Sequence, residues 1–319
     1  MTTEVSSSSR ARSAEETGPA ILTQGLTRRF GDLVAVDHID LAVERGELFA
    51  LLGPNGAGKT TTIRLLCLLL RPTSGSIAVA GHDAAGAPIA VKSAIAVSPQ
   101  ETAIAEHLDA WENLRLMARL HGIDDAEIRR RSESLLEMFG LADRAKDRVK
   151  KYSGGMKRRL SIAMALVTGP EVLFLDEPTL GLDPQSRRGL WEHIEALKGS
   201  ITIVLTTHYL EEADALADRV AIIDDGRIVA AGTPDELRSL VPAARGTLVE
   251  ADLSDEAIDA LRHRFGTVRA VEAGAEIDDP DATVDAIVDV LRPLGIETRS
   301  THRNRITLDD VFVHLTGKE

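Results

Sequence analysis

Apolar runs alternate with amphipathic stretches over the first two thirds of the chain. Residues 48–52 are continuously apolar, which is typical of a strand covered on both faces of a parallel sheet. Similar short runs predict further strands, and the stretches between them have the spacing of helices. The predicted strands are 39–43, 48–52, 76–80, 94–98, 171–175, 201–206 and 219–223, and the predicted helices are 59–70, 109–121, 125–139, 155–167, 185–198 and 209–217. Buried strands in alternation with helices indicate an α/β fold with a parallel sheet.

A second pattern begins after residue 232. Just before it, Asp225-Gly226 suits the type I′ turn of a β-hairpin over residues 220–229. The elements predicted beyond the hairpin are, in order, strand 247–252, helix 254–265, strands 267–272 and 275–278, helix 282–293, strand 296–300 and helix 308–316. The β-α-β-β-α-β order predicts a small α+β domain of the ferredoxin-like type. The pattern therefore predicts a main domain at 20–232 and an accessory domain at 233–319.

Composition narrows the class of protein. The chain has 319 residues and a net charge of −13, which argues against a nucleic-acid binder because such proteins usually present a basic face. Cys67 is the single cysteine, so no intrachain disulfide can form. The polar residues 1–19 predict a disordered leader and lack the apolar core of a secretory signal. The longest apolar run, residues 65–70, predicts a buried helix and is far shorter than the ~20 residues of a membrane span. Any membrane spans must then come from another chain.

A glycine-rich loop follows the strand at 48–52. Its residues, together with the start of the next helix, are Gly53, Pro54, Asn55, Gly56, Ala57, Gly58, Lys59, Thr60 and Thr61. The spacing G-x-x-x-x-G-K-T between a strand and a helix is that of a phosphate-binding loop, whose glycines let backbone N–H groups face an anion at a helix N-terminus. Lys59 is expected to reach the terminal phosphates, and the Thr60 hydroxyl is expected to bind Mg²⁺. A glycine-rich turn without a ligand is the alternative.

Two carboxylates follow the apolar run 171–175. Asp176 and Glu177 are expected at the carboxyl end of a strand, where open α/β sheets bind their ligands. There Asp176 would hold Mg²⁺, and Glu177 would polarise the attacking water as a general base. A solvated acidic loop after a core strand is the alternative for this pair alone, but the phosphate-binding loop upstream favours a nucleotide hydrolase.

The order of the motifs resembles that of ATP-binding cassette (ABC) proteins. Residues 150–159, Lys-Lys-Tyr-Ser-Gly-Gly-Met-Lys-Arg-Arg, resemble the family signature usually written LSGGQ, with Tyr152 in place of its leucine and Met156 in place of its glutamine. A phosphate-binding loop, a glutamine loop, the signature, an acidic strand, a D-loop and a switch histidine all occur within residues 20–232. The resemblance implies a P-loop NTPase fold, the ABC nucleotide-binding domain, with a RecA-like core, an antiparallel β subdomain and a helical subdomain at about 101–168.

The resemblance also assigns residues to the nucleotide. Phe30 matches the aromatic residue that stacks on adenine, with a core residue as the alternative. Gln100 matches the glutamine that contacts Mg²⁺ or water and senses the γ-phosphate, so Thr60, Gln100 and Asp176 form the implied metal site. His208 matches the switch histidine, which hydrogen-bonds the γ-phosphate. The implied cofactors are ATP and Mg²⁺.

A dimer follows from the same resemblance. Ser153, Gly154 and Gly155 match the signature residues at a helix N-terminus, which would bind the γ-phosphate held by a second copy of the chain. Asp183 matches the D-loop residue that acts across the dimer. Two copies would sandwich two ATP molecules, and hydrolysis would release the copies from each other.

Two features resemble one branch of the family, the daunorubicin-resistance-type ATPases of drug and antibiotic exporters. They are the Tyr-Ser-Gly-Gly-Met signature and residues 307–317, Thr-Leu-Asp-Asp-Val-Phe-Val-His-Leu-Thr-Gly. The branch implies an ATPase that drives a separate permease from the cytoplasmic face of the cell membrane. A soluble ABC ATPase of translation or DNA repair is the alternative. The single cassette and the absence of sustained heptads between Lys59 and Ser153 argue against it.

The roles of two segments of the chain can each be interpreted in two ways. Residues 101–122 carry apolar side chains at helical spacing, which either receive the permease or pack in the core. These side chains are Trp111, Leu114, Leu116, Met117 and Leu120. The accessory domain either stabilises the dimer or senses a ligand, and its acidic composition argues against a nucleic-acid partner.

Overall fold

The computed structural model describes residues 18–241, 246–271, 274–279, 281–303 and 306–317. Most of the expected leader, residues 1–17, lies outside the described residues. The chain divides into two compact units, Met1–Pro234 and Asp235–Glu319. None of the helices in the described part of the chain is long and apolar enough to cross a membrane.

Strands and helices alternate in the first unit. Its strands are β1 (Ile21–Phe30), β2 (Leu33–Val43), β3 (Leu48–Leu52), β4 (Ser74–Val79), β5 (His82–Asp83), β6 (Ile95–Ser98), β7 (Val172–Asp176), β8 (Thr202–Thr207), β9 (Arg219–Asp224) and β10 (Arg227–Gly232). Its helices are α1 (Lys59–Leu66), α2 (Pro88–Ala94), α3 (Ala110–Leu120), α4 (Asp125–Met138), α5 (Gly154–Leu166), α6 (Pro184–Glu195) and α7 (Leu210–Leu216), with 3-10 turns at Ala142–Arg144 and Val149–Lys151. Each strand and helix predicted for this region has a counterpart at its position, whereas β1, β5 and α2 have no predicted counterpart.

The main sheet of the first unit has the strand order β10-β9-β3-β8-β7-β6. Neighbouring strands are parallel except in the hairpin of β9 and β10. The hairpin turns at Asp225 and Gly226, whose φ angles of 45° and 80° suit the predicted type I′ turn. Strands β3, β7 and β8 are buried along their whole length, as central strands of a parallel sheet are. Their carboxyl ends therefore lie side by side at one edge of the sheet.

The second sheet of this unit is antiparallel, with the order β2-β1-β4-β5. Its apolar side chains belong to the same buried cluster as those of the main sheet. Val36 and Ile77 of this sheet share that cluster with Phe49 and Phe174 of the main sheet and with Ile63 of α1. This shared core fixes α1 with respect to both sheets, because close-packed apolar side chains leave little freedom for a helix to shift.

Helices α3, α4 and α5 form the segment between β6 and β7. Helix α3 packs against α4 and α5, and α4 packs against α5. Leu114, Leu136 and Leu160, one from each helix, are fully or almost fully buried. Asp109 begins α3 with a capping box, in which Asp109 and Glu112 bond to each other's backbone N–H groups. This local signal fixes the start of the helix.

The second unit contains one antiparallel sheet with helices. Helix α8 (Pro234–Arg238) begins at the boundary residue, and the elements that follow are β11 (Gly246–Glu250), α9 (Asp255–Phe265), β12 (Val268–Val271), β13 (Gly274–Asp278), α10 (Val284–Leu291), β14 (Ser300–Arg303) and α11 (Leu308–Thr316), with a 3-10 turn at Arg292–Leu294. The strand order is β12-β13-β11-β14. Helices α9 and α10 pack together, and Val249, Phe265, Ile277 and Leu291 belong to the buried core.

The apolar run 65–70 is not the continuous buried helix that the sequence predicted. Helix α1 ends at Leu66, and Leu68 has a left-handed φ of 56°. Leu69 is 66% exposed, while Leu68 and Leu70 pack against the core from the loop. The apolar composition therefore reflects side chains that cover the core after the helix has ended.

The last strand is also displaced from its prediction. The sequence predicted residues 296–300, but β14 spans Ser300–Arg303. Gly295 has a left-handed φ of 70° and closes the preceding 3-10 turn. Ile296 packs against the core from an irregular connection, so one apolar side chain suggested a strand where none forms.

Candidate active site

The phosphate-binding loop connects β3 to α1. Gly58 caps the helix with a φ of 107°, and a Cβ there would lie 2.5 Å from the carbonyl oxygen of Ala35, so the position requires glycine. Lys59 begins the helix and is 4% exposed. Its Nζ donates to the carbonyl oxygens of Gly53 at 2.7 Å and Pro54 at 3.0 Å, so the loop folds around the ammonium group. Burial lowers the pKa of Lys59.

Asp176 ends β7 and lies beside the start of α1. Its Oδ1 accepts a hydrogen bond from the Thr206 hydroxyl at 2.6 Å and another from the Thr60 hydroxyl at 3.3 Å. Thr206 lies opposite Asp176 on the neighbouring parallel strand β8, so the register of the sheet sets the position of the carboxylate. The Asp176 carboxylate and the Thr60 hydroxyl are therefore adjacent oxygen groups at the carboxyl edge of the sheet.

Glu177 follows β7 directly, and its carboxylate lies between two other predicted site residues. Oε1 is 3.5 Å from Nζ of Lys59, and Oε2 is 3.3 Å from Nδ1 of His208. The latter contact lacks the alignment of a hydrogen bond. The main chain of Glu177 has a left-handed φ of 46°, a strained conformation for a residue with a Cβ. The Glu177 N–H donates to both the carbonyl oxygen and the hydroxyl of Thr206, each at 3.1 Å, which holds this conformation.

The oxygen groups around Asp176 suit a small hard cation. Mg²⁺ is usually bound by a few protein oxygens together with substrate phosphates. Thr60 and Asp176 supply such oxygens 3.3 Å apart. The described residues include no group of three or more His, Cys, Asp or Glu side chains that could hold a metal by themselves. The site therefore fits Mg²⁺ that arrives with a nucleotide better than a metal held by the protein alone.

Sequence reasoning missed a charged residue in the site, Arg158 on α5. Its guanidinium donates to the carbonyl oxygens of Pro99 at 2.7 Å, Gln100 at 2.9 Å and Glu177 at 3.1 Å. Arg158 is 5% exposed, and burial lowers its pKa. The sequence held a signal for it, because Arg158 shares a helix face with Ile162, and an arginine on a buried face needs partners.

His208 packs against Tyr209, which in turn packs against Arg187, and sequence reasoning missed both of these residues. The ring of Tyr209 lies 4.1 Å from the His208 ring, and the Arg187 guanidinium lies 4.3 Å over the Tyr209 ring. Arg187 is on α6, which begins after Asp183. Nothing in the sequence pattern separates Arg187 from the exposed Arg188 beside it, because their roles depend on a neighbour from another element.

Phe30 and Gln100 lie at the ends of β1 and β6. Phe30 is 43% exposed, so the alternative of a core residue is wrong. The Arg28 guanidinium lies 4.4 Å over one face of its ring. Gln100 lies in an exposed loop, and its carbonyl oxygen accepts the hydrogen bond from Arg158. Gln100 is thus connected to Glu177 through the Arg158 guanidinium.

The signature and the D-loop are neighbours. Ser153 caps α5, and its hydroxyl accepts a hydrogen bond from the Met156 N–H at 3.2 Å. Ser153 and Gly154 are both exposed. A Cβ at residue 155 would lie 3.1 Å from the Ser186 hydroxyl. Asp183 caps α6 and accepts from the Ser186 N–H at 3.0 Å, and hydrogen bonds from Ser186 hold the pKa of Asp183 below its usual value. Ser153 and Asp183 each cap the start of their own helix, and the two helix starts come close together where Gly155 faces Ser186.

A phosphate-binding loop beside two carboxylates at the carboxyl edge of a parallel sheet defines a P-loop ATPase. A family model described as ABC transporter matches residues 36–180. Daunorubicin resistance ATP-binding protein DrrA3 of Streptomyces coeruleorubidus is 44% identical over 305 residues, which cover 94% of this chain and 96% of that protein. Daunorubicin/doxorubicin resistance ATP-binding protein DrrA of Streptomyces peucetius is 44% identical over 307 residues, which cover 93% and 92%. The solved structure of an ATP-binding subunit of an ABC transporter is 34% identical with a TM-score of 0.63, over 69% of this chain and 92% of that chain.

The chain belongs to the ABC transporter ATP-binding proteins of the daunorubicin-resistance type. Its first unit has the fold of an ABC nucleotide-binding domain, and the chain binds and hydrolyses ATP as a subunit of this family does. The family and the activity predicted from the sequence are confirmed. The alternative of an ATPase in translation or DNA repair is not favoured, because relatives that match over nearly the whole chain are named as drug-resistance or Nod factor export ATP-binding proteins.

Proposed function

We propose that this chain is the motor subunit of an exporter, and that its ATP hydrolysis drives a separate permease for drugs, antibiotics or other amphiphiles. The observation that carries the motor function is the Glu177 carboxylate, which lies between Lys59 and His208. Drug export is supported by the names of two relatives, each matched over more than nine tenths of its length.

ATP binding uses the loop of residues 53–58 and the start of α1. The backbone N–H groups of the loop receive phosphate oxygens, and Lys59 exchanges its carbonyl partners for the terminal phosphates. Thr61 lies in the first turn of α1 and is included in the proposed ATP-binding site. The exposed ring of Phe30 stacks on adenine through the face opposite Arg28.

Mg²⁺ accompanies the nucleotide in this proposal. Thr60 and Asp176 hold it, together with Gln100 from the exposed loop after β6. The support is the 3.3 Å distance between the Thr60 hydroxyl and the Asp176 carboxylate. When bound, Mg²⁺ neutralises negative charge on the phosphate oxygens.

Glu177 acts as the general base. Its carboxylate takes a proton from the water molecule whose oxygen forms the new bond to the γ-phosphorus, and ADP leaves with the electrons of the broken phosphoanhydride bond. His208 hydrogen-bonds the γ-phosphate from the end of β8. General-base catalysis of this kind contributes about 10²- to 10⁴-fold to a rate.

A second copy of the chain completes each nucleotide site. The exposed N-terminal turn of α5 offers the Ser153 hydroxyl and the backbone N–H groups of Gly154 and Gly155 to the γ-phosphate of the other copy. Asp183, exposed in the neighbouring D-loop, faces the partner. ATP then binds the two copies together, and hydrolysis releases them.

The proposed domains are a main domain at 20–232, with a helical subdomain at about 101–168, and an accessory domain at 233–319. The division of contacts after Pro234 supports this boundary. The accessory domain is proposed to be ferredoxin-like, which the antiparallel order β12-β13-β11-β14 and the packed pair α9 and α10 support. A nucleic-acid partner is not part of the proposal, because the net charge is −13.

The permease holds the chain at the cytoplasmic face of the cell membrane. The proposed docking surface lies on α3, where Leu116 is 47% exposed and Leu120 is 75% exposed. Leu114 of the same helix is fully buried, so the apolar residues of α3 divide between the core and the surface. Exposed leucines on one helix are the kind of surface that receives a partner helix.

The test is to purify the tagged full-length chain from detergent-solubilised membranes and to identify stoichiometric partners by mass spectrometry. We expect a polytopic membrane protein, which would then be the place to look for the transported molecule. Recovery of the chain without a membrane protein, together with ribosomes or DNA-repair proteins, would overturn the exporter proposal and leave the ATPase activity unaffected.

A further inference from the structure

We propose that Arg158 is a positioning residue for ATP hydrolysis, which sets the main chain of Glu177 relative to the segment that carries Gln100. The inference rests on the role proposed above for Glu177 as the general base. It adds a residue whose side chain acts through Glu177 and does not itself touch the reacting atoms.

The hydrogen bonds of Arg158 carry the inference. Nη1 donates to the carbonyl oxygen of Pro99, and Nη2 donates to those of both Gln100 and Glu177, at 2.7, 2.9 and 3.1 Å. All three acceptors are backbone atoms, so the guanidinium fixes the course of two loops rather than the rotamers of side chains. Hydrogen bonds from a charged donor are stronger than those between neutral groups, and burial of Arg158 to 5% exposure protects them from water.

Glu177 needs such support because its backbone is strained. Its φ of 46° lies in the left-handed region, which residues with a Cβ adopt only when their surroundings hold them there. Thr206 binds the N–H of Glu177, and Arg158 binds its carbonyl oxygen. The two bonds hold the residue from both sides, and loss of either allows the carboxylate to move. A displacement of about 1 Å can lower a catalytic rate about 10²-fold.

One nitrogen of Arg158 also joins Glu177 to the glutamine loop. Because Nη2 serves Gln100 and Glu177 together, a shift of the Gln100 backbone changes the bond to Glu177. Arg158 itself lies on α5, the helix that begins at Ser153. The geometry therefore makes the position of the general base depend on two segments that surround the nucleotide in the proposed function.

The test compares Arg158→Met and Arg158→Lys with the wild-type full-length chain. A lysine keeps the charge but cannot present the planar fork that reaches three acceptors, so we expect both variants to lower kcat, by about 10-fold to 10²-fold for methionine and by less for lysine. We expect the ATP affinity of both variants to stay within about twofold of the wild-type value, because Arg158 does not contact the phosphate-binding loop. A twofold change in affinity is a small change in binding free energy.

Arg159→Met is the matched control. Arg159 lies on the same helix, is partly buried, and donates to a backbone carbonyl at 2.8 Å, but its acceptor is Phe139 outside the site. We expect this variant to lower the thermal midpoint without the loss of kcat in the folded protein. An equal loss of kcat in Arg158→Met and Arg159→Met would show a general structural effect and overturn the inference.

A double variant separates positioning from structure. If Arg158 acts through Glu177, then Arg158→Met causes no further loss of rate in a Glu177→Gln background, because the group it positions has already been removed. A further loss of the same size in that background, or a lower ATP affinity that accounts for the lower rate, would overturn the inference. If Arg158→Met fails to fold, Arg158→Lys is used in the same comparison.

The outcomes distinguish this inference from the proposed function. A Glu177→Gln variant that hydrolyses ATP at the wild-type rate overturns the general-base role and the proposal on which the inference rests. A slow Glu177→Gln variant together with a wild-type rate for Arg158→Met overturns the inference alone.

Discussion

At the scale of single residues, the Glu177 carboxylate lies at the centre of the candidate site, close to the side chains of Lys59 and His208. Lys59 reaches it from α1 and His208 from the end of β8, within 3.5 and 3.3 Å of its two carboxylate oxygens. Burial lowers the pKa of Lys59, and the nearby Glu177 carboxylate opposes that shift. The phosphates of ATP would replace Glu177 as the partner of Lys59, which frees the carboxylate to accept a proton.

Glu177→Gln should retain ATP binding and hydrolyse ATP at least ~10²-fold more slowly, because the amide cannot accept the proton of water. Single-turnover hydrolysis with labelled ATP measures this. Glu171→Gln is the matched control, since Glu171 is an exposed glutamate just before β7, at the other end of the same strand. A Glu177→Gln variant that turns over as fast as the Glu171→Gln variant would contradict the role of Glu177.

Lys59→Ala should weaken ATP binding by about 10- to 10²-fold, because one charged hydrogen-bond donor contributes about 1.5–3 kcal/mol. Isothermal titration with ATP measures the change. Lys92→Ala, at an exposed position on α2, should leave the affinity unaltered. Equal affinities in the two variants would refute the contact between Lys59 and the phosphates.

Residues with a role in a local motif were predictable, and residues defined by distant partners were not. Lys59 and Glu177 could be predicted because loop spacing and strand pattern lie within a few neighbouring positions. Arg158 contacts a carbonyl 59 residues earlier and another 19 residues later, and neither separation is visible in a helix pattern. The same holds for Arg187, whose partner is the ring of Tyr209 on another segment.

At the scale of elements, the sequence predicted the buried strands well and the irregular connections poorly. Strand β3 matches its prediction because five consecutive apolar residues permit little else in a parallel sheet. Helix α1 begins at Lys59 as predicted, since Gly58 supplies a distinct start, but it ends early because the apolar run 65–70 masks the turn at Leu68. Helix ends that depend on tertiary packing leave no such local mark.

The contact between α6 and α7 predicts a pH dependence of stability. Glu212 on α7 is fully buried and accepts a hydrogen bond from Trp191 Nε1 on α6 at 3.1 Å. Burial raises the pKa of Glu212, although the hydrogen bond from Trp191 opposes this effect. The folded chain therefore holds this proton more tightly than the unfolded chain, so the free energy of unfolding falls as pH rises from the ordinary value of 4.5 towards the folded pKa.

Glu212→Gln should remove this dependence, because an amide can accept from Trp191 without losing a proton. Its thermal midpoint relative to the wild type should therefore increase as pH rises above 4.5. Glu211→Gln, at the exposed neighbouring position, should leave the slope of midpoint against pH unchanged. A constant difference between Glu212→Gln and wild type across that pH range would contradict a raised pKa.

A charged substitution on α3 tests the proposed docking surface for the permease. Leu120→Glu should lower the amount of permease that copurifies with the chain, because it places a carboxylate where an apolar contact is proposed. ATP affinity should be unchanged, since Leu120 is 75% exposed and lies outside the site. Leu33→Glu, at a position 65% exposed on β2, is the control and should copurify as the wild type does. Equal recovery of permease with both variants would exclude α3 from the interface.

At the scale of the whole molecule, the proposed nucleotide chemistry belongs to the first unit. The phosphate-binding loop, both carboxylates, the signature and the switch histidine all precede Pro234, where the first unit ends. Within this unit the Glu177 carboxylate lies close to Lys59 and His208, while the exposed Ser153 hydroxyl accepts a hydrogen bond from the Met156 N–H of its own helix. A single copy therefore holds all the motifs but not all of them at one nucleotide, which is why two copies are proposed.

We propose that ATP joins two copies of the chain and that hydrolysis at Glu177 separates them. The most direct measurement is the mass of the full-length Glu177→Gln variant by sedimentation, with ATP and with ADP. We predict the mass of two chains with ATP and of one chain with ADP, and Lys59→Ala added to Glu177→Gln should abolish the difference. The same mass with both nucleotides would contradict the claim.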